Sequence, residues 1–290
     1  MPTHLLAIDL DFTLLDHDRE IPVANREAIQ KALDAGIAVV LASGRGAGGV
    51  GKYASQLGLE GPMVTCNGSF VVTPLGEVIK EHLLPPERLR TIIEFARAGG
   101  HHLHLYCRDE VLMPEFTEWA DIYVHKAKQL PPRAVGWEGM LAATANKAII
   151  VTAPETVLAI ESSARALFPE KESVTLSEPE YLEFLCPEAS KATGLAAVGA
   201  LIGVPRELTA AIGDYYNDIP MLEWAGHSAA VDNAPSAVKQ SAKIVVPAHD
   251  RGGVAAYIDM LIRYLGEWDG PSIVYNEGWV VSTPTIGENL

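Results

Sequence analysis

The chain opens with an apolar run that ends in acids, AIDLDFTLLD from Ala7 to Asp16. We predict a short buried strand here, with Asp9 and Asp11 at its carboxyl end. Alternate side chains of a strand share one face, so these two carboxylates are expected to point the same way. Two acids at the end of an apolar strand are costly to bury unless a cation or a reaction uses them. This stretch is therefore the first candidate for a functional site.

Helical and strand patterns alternate in the segments that follow. Apolar residues three and four positions apart predict a helix in IPVANREAIQKALDAG that ends at Gly36, and the run GIAVVLASG predicts a buried strand. A Gly-rich turn, a helix over about residues 49–57 and a strand at PMVTCNGS come next. This alternation of strands and helices is typical of a parallel sheet with crossover helices, the first half of a doubly wound α/β fold.

From about Leu83 the pattern predicts hairpins mixed with helices. PPERLRTIIEFARAGG and PETVLAIESSARALF are predicted helices, whereas HHLHLYCRDEVLM predicts a hairpin around Arg108 and Asp109. NKAIIVTA predicts one further strand, and SVTLSEPEYLEFLCP predicts two. Such an insertion between parallel βα units indicates a separate α+β domain, which we place at residues 83–187.

The alternation of strands and helices resumes after this insertion. SKATGLAAVGALIGV predicts a helix and LTAAIGD a strand, and helices and strands alternate from NDIPMLEWAG to KIVVP. Residues 1–82 plus 188–265 are therefore predicted to form one discontinuous core domain. The tail, residues 266–290, has no clear periodicity, so packing as a strap and mediating association both stay open.

Composition narrows the classes of partner. The chain has 290 residues, of which 48% are hydrophobic, enough for a sizeable core. Its net charge of -15 and the absence of any basic run disfavour nucleic acid and favour a small ligand. No apolar run is long enough to span a bilayer, and the first residues lack the features of a signal peptide. We therefore predict a cytoplasmic protein without a membrane partner, either a monomer or a homodimer.

Polar residues follow the predicted core strands, at the edge where open α/β sheets bind ligands. Each has a structural interpretation by itself, such as a helix cap or a turn residue. Together they form an acid-rich set with one hydroxyl and one lysine: Asp9, Asp11, Ser43, Asn67, Asp214, Asn217, Asp218 and Lys191.

This set suits phosphoryl transfer through an aspartyl-phosphate. A divalent cation is required because a carboxylate and a phosphate repel each other, and we expect Mg²⁺ on Asp9, Asp214 and the backbone carbonyl of Asp11. Lys191 and the Ser43 hydroxyl would hold the transferring oxygens. Asp11 would protonate the leaving alcohol and then deprotonate the water that hydrolyses the intermediate.

Four segments resemble the ordered motifs of the haloacid dehalogenase superfamily: AIDLDFTLL, LASGR, EASKATGLAAV and AIGDYYNDIPML. The insertion between the second and third resembles the C2B cap of its Cof-type phosphatases. VTCNGS, AAVDNAPSAVK and GGVAAYI are also similar to this subfamily, so the resemblance extends to about Leu265. It implies a HAD-like, Rossmannoid core with a C2B cap over residues 83–187.

The resemblance also implies roles for individual residues. Catalysis would rest on the nucleophile Asp9, the acid/base Asp11, the phosphate-binding hydroxyl of Ser43 and the charge-neutralising Lys191. The remaining metal ligand would be Asp214, while Asn217 and Asp218 orient the metal's waters or Lys191 without binding the ion directly. The predicted substrate-binding residues are Ser43, Gly44, Asn67, Lys191 and Asn217.

Two residues depart from the family pattern. Phe12 stands where the family usually has glycine, which puts a bulky ring where the chain leaves the first strand. We expect this ring to narrow the site or to change the contact with the cap. Ser43 stands where threonine is common, and it keeps the hydroxyl.

Other candidate binding residues have simpler interpretations. The cysteines form no CxxC and are interpreted as buried apolar residues: Cys66, Cys107 and Cys186. Three histidines are expected on the cap surface, with contact to an anionic substrate as the alternative: His101, His102 and His104. Three mid-cap residues are expected in core packing, again with substrate contact as the alternative: Trp119, Tyr123 and His125. GRGAGG satisfies GxGxxG, but no acid follows about 20 residues later, which disfavours a dinucleotide site.

The expected function is a Mg²⁺-dependent phosphatase of small phosphorylated metabolites, with sugar phosphates as the expected class. A phosphomutase is the nearest enzymatic alternative. A receiver-like module would carry its phospho-acceptor on a mid-chain strand and would not need so large a cap. A non-catalytic phosphate-binding protein on the same scaffold stays open, and Phe12 is its best support.

Overall fold

The computed structural model describes residues 2–127, 132–170 and 173–266. Apart from Gly266, the predicted tail lies outside the described residues. None of the helices within these ranges is long and apolar enough to cross a membrane. The cytoplasmic location stays a prediction.

Fourteen strands and ten α-helices make up the described chain. The strands are β1 His4–Ile8, β2 Ile37–Leu41, β3 Met63–Thr65, β4 Phe70–Val72, β5 Val78–Glu81, β6 His102–Cys107, β7 Glu110–Met113, β8 Arg133–Ala134, β9 Lys147–Val151, β10 Val174–Glu178, β11 Tyr181–Leu185, β12 Thr209–Gly213, β13 His227–Val231 and β14 Ile244–Val246. The helices are α1 Val23–Asp34, α2 Ala47–Gln56, α3 Pro86–Gly99, α4 Glu118–Ala127, α5 Gly136–Leu141, α6 Pro154–Leu167, α7 Lys191–Ile202, α8 Ile219–Trp224, α9 Ser236–Ser241 and α10 Gly253–Gly266.

The chain divides into two compact units. Of the described residues, the first combines those up to Val39 with those from Gly199 to Gly266, and the second is Val40–Val198. The second unit is larger than the predicted insertion, because it also contains β3 to β5, α2 and the start of α7. The domain limits 1–82 plus 188–265 and 83–187 stay a prediction.

A five-stranded sheet of order β14-β13-β12-β1-β2 carries the first unit. Strand β12 pairs in parallel with both β1 and β13, and β13 pairs in parallel with β14. Residues Leu5 to Ile8 are fully buried, as expected of a central parallel strand covered on both faces. The predicted α/β class with a parallel-sheet core is confirmed.

The opening strand is shorter than predicted, since it ends at Ile8 and both acids lie beyond it. Residues Leu10–Leu14 wind into one wide helical turn, closed by hydrogen bonds from the Leu14 amide to the Asp9 carbonyl (3.2 Å) and from the Leu15 amide to the Leu10 carbonyl (2.9 Å). The expectation that Asp9 and Asp11 share a strand face is therefore wrong, because the chain leaves the extended conformation between them.

Two further sheets lie in the second unit, and their strands pair antiparallel except for β7 with β8. The larger sheet has the order β10-β11-β9-β6-β7-β8, and the smaller has the order β3-β4-β5. Strand β3 was expected in the parallel sheet. Among the described residues, its parallel pairing with the β2 segment is a single bridge between Ala42 and Val64. Cys66, Asn67 and Gly68 all have positive φ, so the chain reverses after β3 and pairs back on itself.

Candidate active site

Three buried carboxylates meet in the first unit at the ends of neighbouring strands. Ile8 of β1 lies in register with Ile212 of β12, and Asp9 and Asp214 follow these two strand ends. Asp218 closes a short 3₁₀ turn after β12. One carboxylate oxygen from each aspartate lies within 4.8 Å of the others, and the three residues are only 5%, 6% and 0% exposed. Asn217 lies in the same turn and is also buried.

Neutral donors fix two of these carboxylates. The Thr13 hydroxyl donates to Oδ1 of Asp214 (3.0 Å). Oδ2 of Asp218 accepts hydrogen bonds from the backbone amides of Asp214 (2.8 Å) and Tyr215 (3.1 Å). A Cβ at Gly213 would lie 2.4 Å from the Asp218 carboxyl group, so this approach requires glycine. These bonds orient the oxygens, and three converging carboxylates are a donor set that fits a hard divalent cation such as Mg²⁺.

The Asp11 carboxylate lies outside this cluster and forms an ion pair with the Arg19 guanidinium. Arg19 is buried, with 5% of its surface exposed, and it adopts φ +60°. A guanidinium in contact with a carboxylate holds its position. Arg19 was not predicted as a site residue, and no pattern in the sequence singles it out.

Phe12 adopts φ +59° and ψ 15°, a left-handed conformation in which glycine has no steric penalty. A β-carbon there costs about 1–2 kcal/mol, which is a physical reason for glycine at this position in the family. The Phe12 ring lies 4.5 Å from Cζ of Arg19 and meets the His249 ring edge-on at 5.6 Å. Its carbonyl accepts a hydrogen bond from Nδ2 of Asn233 (3.0 Å). These contacts hold the non-glycine residue in place.

In the second unit, the loop after β2 is joined to the turn after β3. The Ser43 amide donates to the Val64 carbonyl (2.9 Å), and the Ser43 carbonyl accepts from the Asn67 amide (3.0 Å). The Ser43 hydroxyl accepts from the Arg45 amide (3.2 Å). Ser43 and Asn67 are 2% and 1% exposed. The structure thus brings together two of the predicted substrate-binding residues.

A buried ion pair contacts Asn67 from the six-stranded sheet. Lys147 of β9 and Glu183 of β11 form a salt bridge of 2.7 Å, with side chains 1% and 2% exposed. The same Glu183 oxygen accepts from Nδ2 of Asn67 (2.5 Å), and its second oxygen accepts from the Ser177 hydroxyl. A Cβ at Gly44 would lie 3.3 Å from the Asn67 side chain and 3.4 Å from Glu183. Gly44 thus allows the close approach of these groups.

Lys191 begins α7 and is fully buried. The preceding residue packs directly against the turn after β3, because a Cβ at Gly68 would lie 1.9 Å from the Ser190 carbonyl oxygen. Gly68 also has φ +86°, so glycine is required there for two reasons. Ser43, Gly44, Asn67 and the start of α7 are thereby joined by direct contacts within one unit.

Two of the cap histidines are buried, so the expectation of surface positions is wrong for them. His102 is 6% and His104 is 0% exposed, because β6 pairs with both β7 and β9 inside the sheet. Their Nε2 atoms lie 2.8 Å apart, and Nδ1 of His102 lies 2.9 Å from the Thr117 hydroxyl. Burial lowers the pKa of His102 to about 4 and lowers that of His104 well below its usual value.

Tyr123 packs in the interior as expected, and its hydroxyl lies 2.5 Å from that of Tyr106. The His125 side chain lies outside the described residues. The three cysteines, all within the described ranges, are free thiols. Cys66 fits the apolar interpretation, and burial raises its pKa to about 12. Cys107 is only partly buried.

Sequence reasoning also missed the roles of Lys147 and Glu183. Each is a charged residue within a strand whose residues are all buried, KAIIV and YLEFL. A charge inside an apolar strand requires a partner of opposite sign, and this was the available signal.

Comparisons with known proteins identify the family of this chain. A sequence model of a family described as haloacid dehalogenase-like hydrolase matches residues 6–258. YxeH of Bacillus subtilis (strain 168) is 29% identical over 273 residues, 89% of this chain and 98% of that protein. YwtE of the same strain, a 5-amino-6-(5-phospho-D-ribitylamino)uracil phosphatase, is 26% identical over 280 residues, 89% of this chain and 97% of its own.

A crystal structure of a haloacid dehalogenase-like hydrolase from Bacteroides thetaiotaomicron superposes with a TM-score of 0.77 at 29% identity, covering 89% of this chain and 99% of that one. The enzyme class drawn from the motifs, a phosphoric monoester hydrolase, is confirmed. The chain belongs to the haloacid dehalogenase-like hydrolase family.

Proposed function

We propose that this protein hydrolyses phosphate monoesters of small metabolites in a Mg²⁺-dependent reaction, with Asp9 as the nucleophile. The observation that carries the proposal is the convergence of the Asp9, Asp214 and Asp218 carboxylates within 4.8 Å in a buried position. Buried like charges at this spacing repel strongly unless a cation lies among them. In this proposal Asp9 would act as the nucleophile beside the bound ion.

Asp9 and Asp214 would hold Mg²⁺ through carboxylate oxygens and Asp11 through its backbone carbonyl, while Asp218 and Asn217 orient its remaining ligands. The Asp218 oxygen that accepts two backbone hydrogen bonds supports this orienting role. When bound, Mg²⁺ supplies positive charge that offsets the repulsion between the Asp9 carboxylate and the substrate phosphate.

An Asp9 oxygen attacks phosphorus and forms an aspartyl-phosphate as the bond to the leaving oxygen breaks. Asp11 donates a proton to that oxygen and then takes one from the water that hydrolyses the intermediate, which restores Asp9 and releases phosphate. The contact with Arg19 holds the Asp11 carboxyl group in place for both transfers. The order of the family motifs supports Ser43 and Lys191 as the groups that bind the transferring oxygens.

For the substrate we propose a phosphorylated sugar or sugar alcohol. YwtE, whose name contains a phosphoribityl group, supports this class. A panel of phosphorylated metabolites, assayed for phosphate release with and without Mg²⁺, tests the class. Faster hydrolysis of nucleotides than of all sugar and polyol phosphates would exclude it.

The nucleophile is tested by Asp9→Asn, which keeps the size of the side chain but removes its charge. We expect phosphate release to fall at least 1,000-fold, because a neutral amide does not form the acyl-phosphate. The matched control is Asp18→Asn, the same change at an exposed position of the same segment, which should leave turnover within about twofold. Residual activity of Asp9→Asn above a tenth of the parent rate would contradict the mechanism.

A further inference from the structure

A second cluster of metal-binding side chains lies in the second unit, away from the residues assigned above. It consists of His82, directly after β5, and of Cys186 and Glu188, directly after β11. One ligand atom from each of the three lies within 4.8 Å of the others. Sγ of Cys186 is 2.7 Å from Oε2 of Glu188. Imidazole, thiolate and carboxylate together form a donor set typical of zinc rather than of magnesium.

The imidazole of His82 gives a second, independent reason to place a metal ion at this cluster. Its Nε2 atom is buried and has no hydrogen-bond partner among the described residues. A buried ring nitrogen without a partner is unfavourable, and a metal ion would satisfy it. The main chain of His82 is fixed by two hydrogen bonds. Its amide donates to the Ser69 carbonyl (2.7 Å), and its carbonyl accepts from Nδ2 of Asn146 (3.1 Å).

The cluster needs only a small adjustment to accept an ion. Tetrahedral zinc with bonds of about 2.0–2.3 Å separates a sulfur and an oxygen ligand by about 3.5 Å. The Cys186 sulfur and the Glu188 oxygen would move apart by a fraction of an ångström, and Glu188 is an exposed side chain that can move. Three protein ligands leave the fourth position to water or to an incoming group.

Charge around the cluster is compatible with a cation. The pKa of the Glu188 carboxyl is lowered, mainly by its hydrogen bond with Cys186, whereas burial raises the pKa of the Cys186 thiol. The thiol proton would leave when the metal binds. Arg88 is the nearby guanidinium, and it already forms an ion pair with Glu170 (2.6 Å).

We propose that His82, Cys186 and Glu188 form a second metal site that takes a thiophilic divalent cation, Zn²⁺. The ligands come from two segments far apart in sequence, those that enter and leave the predicted cap at residues 83–187. An ion bound there cross-links the two segments. The proposal does not depend on the phosphatase mechanism, because none of the three ligands is assigned a part in it.

Calorimetric titration of the whole chain with Zn²⁺ tests the site, with Mg²⁺ in large excess to occupy the carboxylate cluster. We expect one Zn²⁺ per chain, and at least a tenfold loss of affinity in Cys186→Ser. The matched control is Cys107→Ser, which removes the partly buried thiol of β6 and should bind as the parent does. Equal Zn²⁺ affinity in the parent and Cys186→Ser would overturn the proposal.

Cobalt gives a second readout that identifies the ligand. Co²⁺ bound through a thiolate absorbs in the near ultraviolet by charge transfer, so this band should appear in the parent and in Cys107→Ser and be absent in Cys186→Ser. If Cys186→Ser fails to fold, Glu188→Gln at the exposed ligand replaces it and should also weaken Zn²⁺ at least tenfold. A Co²⁺ spectrum of the parent without the thiolate band would overturn the proposal.

Discussion

The first unit buries the carboxylates of Asp9, Asp214 and Asp218 within reach of one another, whereas the second buries the carboxylate of Glu183 against the ammonium of Lys147. Both arrangements are almost inaccessible to solvent. In the second, the hydrogen bonds from Asn67 and Ser177 complete the coordination of both Glu183 oxygens. One region thus pairs a carboxylate with an ammonium, whereas the other brings three carboxylates together.

The difference separates a structural use of buried charge from the catalytic use proposed above. A balanced pair fixes the positions of its neighbours, here Asn67 and the six-stranded sheet, and needs no ligand. Like charges can be buried close together in a site that binds a cation, because the bound ion offsets their repulsion. Removing a charge should therefore have opposite consequences in the two regions: loss of stability in the second and loss of metal response in the first.

The largest effect is expected for Glu183→Ala. This change leaves the Lys147 ammonium buried without its counterion and removes the acceptor of the Asn67 amide. Breaking one side of a buried pair costs about 3–5 kcal/mol. Urea denaturation followed by circular dichroism measures the loss of unfolding free energy.

The control for this prediction replaces both partners, in the double variant Lys147→Met with Glu183→Leu. Similar volume without charge should recover most of the lost stability, because the cost comes from the unpaired ammonium rather than from the missing contact. If the double variant is no more stable than Glu183→Ala, the pair is not the balanced structural unit described above.

Magnesium should stabilise the protein through the first unit alone. At a concentration 100-fold above its dissociation constant, a ligand specific for the folded state adds about 2.7 kcal/mol. We expect a corresponding rise of the melting temperature in the parent and in Glu183→Gln, and none in Asp214→Asn, which loses a ligand charge. An equal Mg²⁺ response in Asp214→Asn would mean that the ion binds elsewhere.

Much of the fold follows from local patterns. The elements of the parallel sheet were predictable because β1, β2, β12 and β13 are short, mainly apolar segments separated by helices or turns with clear ends. Strands β4 and β5 were not predicted. Asn67-Gly68 is a known turn signal, but the positive φ of Cys66 before it has no signal in the sequence. Helix α10 was overlooked as well, because GGVAAYIDMLIRYLG begins with two glycines and has no polar cap.

The residues of the candidate site also fall into those that the sequence indicates and those that it does not. Asp9 and Asp214 could be identified because adjacent parallel strands end at one edge of a sheet, so sequence order alone places them together. Arg19 could not, since its contact with Asp11 depends on the turn that Phe12 opens at φ +59°. Tertiary contacts between a turn and a residue a few positions later leave no periodic signal.

Acid should weaken the sheet that holds the balanced pair. The pKa of His102 is lowered by burial to about 4, whereas the unfolded chain titrates near 6.5. Between these values the unfolded state binds a proton that the folded state excludes, so stability present above pH 6.5 is lost as pH falls toward 4. We expect a loss of about 2 kcal/mol from this group.

Denaturation curves at several pH values measure that loss. His102→Gln should flatten the decline below pH 6.5, because glutamine does not titrate. The exposed His17 gives the matched control, and His17→Gln should leave the decline unchanged. A decline of equal steepness in His102→Gln and in the parent would assign the acid sensitivity to other groups.

The smallest effect concerns Phe12, which follows Asp11 in the helical turn after β1 and stands where the family usually has glycine. Phe12→Gly removes the left-handed strain and the ring contacts with Arg19 and His249, so the two changes nearly cancel in stability. Phe12→Ala removes the ring but keeps the strain, and we expect it to be about 1 kcal/mol less stable than the glycine variant. Equal stability of the two variants in urea would show that the backbone there relaxes, and that Phe12 rather than the turn sets the positive φ. The predicted inequality would instead mean that the turn imposes φ +59° on whatever residue follows Asp11.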